Sequence, residues 1–104
     1  MKTIKEYAFN VGIMKSNSID TIKADRVPTV QFQMPSTAQA VSASYCGRDD
    51  IRLFVAIDRS PLITRKFAVV RTGYDLEALK LDSSKFVATV YRSDGEEFHI
   101  LELV

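Results

Sequence analysis

Over most of its length this chain repeats its hydrophobic positions every second residue. Ile51, Leu53, Val55 and Ile57 alternate with Arg52, Phe54, Ala56 and Asp58. Successive side chains on a strand point to opposite faces, so the first set lines a core. Val41, Ala43 and Tyr45 alternate with Ser42 and Ser44, and Cys46-Gly47-Arg48-Asp49-Asp50 joins the two runs. A short Gly/Asp link between alternating runs predicts a β-hairpin. A second hairpin is predicted where Phe86, Ala88 and Val90 alternate with Val87, Thr89 and Tyr91. Ser93-Asp94-Gly95-Glu96 makes its turn, with Gly95 free to take positive φ. The return strand, Glu97 to Val104, sets Phe98, Ile100 and Glu102 on one face and His99, Leu101 and Leu103 on the other.

Three further runs complete the set. Thr3 to Val11 places Tyr7, Phe9 and Val11 together. Thr29 to Met34 places Val30, Phe32 and Met34 together, and Pro35 ends it because proline has no N–H for the ladder. Arg65 to Thr72 is β-branched and aromatic at its centre and closes at Gly73; the Arg59-Ser60-Pro61 turn predicts a third hairpin with the strand before it. Two stretches fall outside the pattern. A long polar loop occupies about 12–28, and Asp75 to Leu81 predicts a short helix or turn, with Asp75 as N-cap and Leu76 and Leu79 on one side.

Seven short strands in 104 residues predict one all-β domain. The expected architecture is a small β-sandwich or partly open barrel with one short helix near 75–81; the alternative is an α+β sheet covered on one face by that segment. Composition adds little: 46% hydrophobic and 26% charged residues are ordinary, and the net charge of +1 gives no bulk electrostatic hold on nucleic acid. No run reaches the ~18 apolar residues of a membrane helix, and the first residues do not read as a signal peptide. With a lone thiol, this leads us to expect a reducing cytoplasm.

Candidate chemistry is sparse. GxSxG, HExxH, CxxC and GxGxxG do not occur. His99 is the one histidine, and no Ser, Cys or acid is set beside it by local spacing, so it reads as a structural histidine bonded to backbone. Cys46 reads as a structural thiol, and Asp49-Asp50 with Asp58, or Asp94 with Glu96-Glu97, as solvated turn acids without calcium-loop spacing. Arg59, Arg65, Lys66 and Arg71 form the most basic stretch, and Arg65 and Arg71 share a strand face with Phe67 and Val69. Such a face would suit single-stranded nucleic acid, with Tyr74 and Tyr91 adding rings, or would protect an edge strand from aggregation.

The chain also carries Met34-Pro35 before a strand, Thr72-Gly73 closing the Arg65-Lys66-Phe67 strand, and a last strand of Phe98-His99-Ile100-Leu101-Glu102. In this it resembles a family of small proteins of tailed bacteriophages, over roughly 29–102, with 12–28 as an insertion. That family has no established activity, so the resemblance implies origin and fold. Together these readings lead us to expect a non-enzymatic phage accessory protein without cofactor or metal. It would bind a host or phage protein in the host cytoplasm, through Tyr45, Arg48, Arg59, Arg65, Arg71 and Tyr74. A virion or assembly component is the alternative, and a single-stranded nucleic-acid-binding module the second.

Overall fold

The computed structural model describes residues 2–10, 27–46 and 50–103, and over these the chain is all-β. The strands are β1 (Thr3–Asn10), β2 (Thr29–Pro35), β3 (Gln39–Cys46), β4 (Asp50–Ile57), β5 (Leu62–Arg71), β6 (Lys85–Tyr91) and β7 (Glu97–Leu103). They form two antiparallel sheets, one ordered β1-β4-β3 and the other β2-β5-β7-β6. The sheets pack face to face as a sandwich, and no barrel closes among the described residues. The predicted loop at 12–28 lies almost wholly outside the described residues.

The alternation that predicted the strands also places the core. Ile51, Leu53 and Val55 are at most 2% exposed and meet Phe67, Val69, Phe98 and Ile100 of the other sheet. Rings bridge the layers, Tyr7 to Phe32 at 5.0 Å between centroids and Tyr45 to Phe98 at 5.3 Å. β3–β4 and β6–β7 pair as predicted, and Gly95 takes φ 92°. Pro35 ends β2 on an edge, where its missing N–H leaves no gap in the ladder.

The third hairpin does not form. β4 and β5 belong to different sheets, and 58–61 carries the chain from one layer to the other, as 36–38 does in the opposite direction. Asp58 ties these two crossings together. Its Oδ2 accepts from Thr37 Oγ1 at 2.6 Å and its Oδ1 from the Ser60 N–H at 2.8 Å. Those bonds, the Thr37 hydroxyl first, lower its pKa to about 2. A second turn acid, Asp94, is likewise lowered to about 2, by Arg92 and the Glu96 N–H. A carboxylate depressed in the folded state stabilises the fold above its unfolded pKa near 3.9 and loses that contribution as pH falls towards 2. Urea midpoints are therefore expected to fall between about pH 4 and pH 2, and Asp58→Asn to make that fall shallower; an unchanged slope would refute the role given to Asp58.

The predicted helix at 75–81 is absent, and with it the α+β alternative. The segment makes one capped turn. Asp75 Oδ1 accepts from the Glu77 and Ala78 N–H groups at 3.1 and 3.2 Å, so the cap itself was legible. Lys80 then takes φ 59°, with Lys80 N–H bonded to Glu77 O at 3.0 Å and Leu81 N–H to Leu76 O at 2.7 Å. This is a Schellman closure, which ends a helical turn as soon as it forms. Tyr74, Leu79 and Leu81 are buried by it. They cover the outer side of the four-stranded sheet, which is why Ala68, Val70 and Leu101 are buried there although they alternate with the inner residues of their strands.

Candidate functional site

Arg65 and Arg71 do lie on the face of Phe67 and Val69, but that face is the interior. Each arginine stands at one end of the sandwich and is tied there by a glutamate. Arg65 Nε and Nη2 donate to the two carboxylate oxygens of Glu102 at 2.7 and 2.8 Å, and Nη1 donates to Ala38 O at 2.7 Å. Arg71 Nη2 donates to Glu96 at 2.7 Å. The Glu102 carboxyl is lowered in pKa, chiefly by the Arg65 hydrogen bonds, and the Arg65 guanidinium is raised by the same contact.

Tyr45 is half-buried and stacks on Phe98, and the Arg92 guanidinium lies 5.4 Å from the Phe98 ring centre and 6.0 Å from that of Tyr45. Tyr74 is buried, its hydroxyl has no hydrogen-bond partner among the described residues, and burial raises its pKa. Arg59 is exposed on the 58–61 crossing, and Arg48 lies outside the described residues. Of the six expected partner-binding residues, the five that are described, Tyr45, Arg59, Arg65, Arg71 and Tyr74, are thus spread over both ends and both layers.

His99 is held by side chains rather than by backbone. Its Nε2 is 2.7 Å from Thr72 Oγ1 and its Nδ1 2.9 Å from Thr89 Oγ1, while Thr72 donates to Glu97 Oε2 at 3.1 Å. Because the Thr72 proton goes to Glu97, its oxygen accepts from His99 Nε2–H. Thr89 lies directly across the β6–β7 ladder from His99, so the hairpin register alone pointed to that contact. Thr72 arrives from β5, and nothing local announced it. Cys46 sits instead against Ser44, with 3.4 Å between Sγ and Oγ, on the outer side of the other sheet, so thiol and imidazole are on opposite faces of the sandwich.

The His99 side of the molecule carries what the sequence reading missed. An open groove of about 340 Å³ runs between the 72–84 segment and β6, with His99 and Leu101 in its base. Phe86 lines it and is 61% exposed, and Tyr91 at the far end of β6 is 65% exposed. The two rings are five residues apart, which on a regular strand sets them on opposite faces. A β-bulge between Phe86 and Ala88 changes the parity, so Phe86 pairs with Leu101 and Tyr91 with Glu97, both on the outer face with His99. Val87, the extra residue, packs towards the core. β6 is also the edge of its sheet.

A second concavity opens between the sheets at the Arg65 end. It has a volume of about 220 Å³, an apolar floor and a rim of Arg65, Glu102 and Lys85. Among the described residues, no cluster of three or more His, Cys, Asp or Glu is placed to hold a metal ion, and no helix is long and apolar enough to cross a membrane. Comparison of the chain with protein-family models, with curated proteins and with solved structures found no match.

Proposed function

We propose that the protein is a non-enzymatic binding module that takes an extended segment of a partner protein along β6. The observation that carries this reading is the pair of exposed rings, Phe86 and Tyr91, brought to one face of an edge strand by a bulge. β7 pairs with one side of β6 and β3 of the other sheet lies close to the other, so the surface offered to a partner is the outer face of β6. Affinity and specificity then come from side chains on that one face. Large rings left in water next to a groove are the usual anchors of an interface. The nucleic-acid reading loses its main support, because two of its four cations are neutralised by Glu102 and Glu96 inside the fold. The phage setting of the proposal comes from the motifs around Met34-Pro35, Thr72-Gly73 and Phe98–Glu102.

The test compares the wild-type chain with Phe86→Ser/Tyr91→Ser as bait in host lysate. Both side chains are exposed, so each change is expected to alter stability by no more than about 0.5 kcal/mol. A partner held by the wild type and weakened roughly 30-fold or more in the double variant is the expected result, since interface anchors each contribute about 2 kcal/mol or more. Equal recovery by both baits would overturn the reading. Sizing of the wild-type chain alone separates a foreign partner from a second copy, and self-association lost in the double variant would favour the virion or assembly alternative.

A further inference from the structure

We propose that the cleft between the sheets at the Arg65 end is a binding site for a small carboxylate. The site shares Phe86 with the β6 surface but needs no partner protein. Small-molecule sites are concave and oriented by a few convergent polar groups. Here polar atoms make most of the accessible lining, above Leu53, Val55 and Phe67, which are at most 2% exposed. Arg65, Lys85 and Glu102 make the rim, two positive charges against one negative, which leaves room for one anionic charge.

Arg65 is already aimed. Three of the five guanidinium N–H groups go to Glu102 and Ala38 O, and the other two have no partner among the described residues. A guanidinium held in this way pays little ordering entropy when an anion arrives. Lys85 lies opposite Glu102 across the β6–β7 ladder, with its side chain exposed at the mouth. Volume sets the size of the ligand. A dry cavity of about 150 Å³ takes benzene. At about 220 Å³ this cleft accommodates a ring or a branched alkyl group with a carboxylate attached.

The local backbone is irregular at the same place. β3 shifts register between Ala40 and Ser42, and β6 between Phe86 and Ala88. Ala40, Phe86 and Val87 all line the cleft. Regular strands would bring these two facing edges together with their side chains interleaved. Bulges re-aim side chains, and they recur beside binding sites. Both register shifts among the described strands thus fall at the mouth of one cleft, independently of the charges.

Titration of the isotope-labelled full chain with phenylacetate and 3-methylbutanoate, and with the matching neutral amides, tests this by amide shifts. The expected result is saturable shifts confined to Ala38, Ala40, Val55 and Val87, with each acid bound roughly tenfold or more tightly than its amide. Lys85→Gln is expected to weaken the acids about tenfold and leave the amides unchanged. Lys85 is exposed, so the variant keeps the fold, which its unshifted distant amides verify. No saturable shift up to about 10 mM, equal binding of acid and amide, or an unaffected Lys85→Gln would each overturn the proposal. Lys85→Gln leaves Phe86 and Tyr91 in place and tests the cleft, whereas Tyr91→Ser lies outside the cleft lining and tests the partner reading, so the two stand or fall separately.

Discussion

Phe98→Ala is expected to cost about 3–5 kcal/mol, the loss that follows removal of a fully buried ring whose cavity cannot collapse. Phe98 is 1% exposed and lies on β7, a central strand of its sheet. It reaches across the sandwich to stack on Tyr45 with rings 29° apart, under the Arg92 guanidinium. One side chain therefore joins both layers and a cation that caps their end. A domain of this size has only about 5–15 kcal/mol in all. The melting temperature of the variant should fall by about 15–30 °C. Tyr91→Ala, on the same sheet but exposed, is the control and should stay within about 0.5 kcal/mol. A loss below about 1 kcal/mol for Phe98→Ala would mean that the two sheets do not meet through this ring.

The predictability of Phe98 and the surprise of Phe86 have one physical origin. Period two is a local property of a strand, so the inward set on β4 and the two faces of β7 follow from residue order alone. Phe86 obeys the same rule in sequence, together with Ala88 and Val90, yet stands outside, because the bulge at Val87 resets the parity between them. Val41 departs in the same way beside the bulge of β3, and remains exposed while Ala43 and Tyr45 turn inward. A bulge is set by how two strands meet, and the alternation of one strand carries no trace of it. Sheet membership is non-local for the same reason. The turn at 59–61 looks like a hairpin, but β4 and β5 pair with other strands, β1 and β3 for one and β2 and β7 for the other.

The charged residues show this limit most clearly. Arg65 and Arg71 share a face with Phe67 and Val69 as the alternation predicts, and each carries a countercharge there that the alternation does not predict. Phe67 and Val69 are buried, so an arginine on their face must find its countercharge inside the molecule. The countercharges come from 37 and 25 residues away in the chain, Glu102 and Glu96. At 75–81, helix formers and a good N-cap were legible, whereas the left-handed Lys80 that closes the turn was not. Lysine carries no local signature for that conformation; glycine does.

Glu102→Ala is expected to lose about 2–3 kcal/mol, because it strands the Arg65 guanidinium with most of its hydrogen bonds gone. The two side chains are 16% and 21% exposed, and the contact is a two-pronged one, with Nε and Nη2 each on its own carboxylate oxygen. Arg65→Met should lose a similar amount by leaving the carboxylate without its fork, and Arg65→Lys about 1–2 kcal/mol, since an ammonium cannot serve both oxygens at once. Arg65→Met/Glu102→Leu replaces the pair with apolar side chains over an apolar floor, and should lie within about 1 kcal/mol of the wild type. With Glu102→Leu as the matching single variant, expected to lose about as much as Glu102→Ala, the cycle then gives a coupling of about 3 kcal/mol or more. The acid limb carries the same sign. Glu102 is lowered by Arg65, so its contribution is complete above the unfolded carboxyl value near 4.3 and is lost as pH falls below it; the double variant should lack that part of the acid loss. If the two single losses simply add, the guanidinium and the carboxylate do not hold one another, and Arg65 returns to the pool of cations available to a partner.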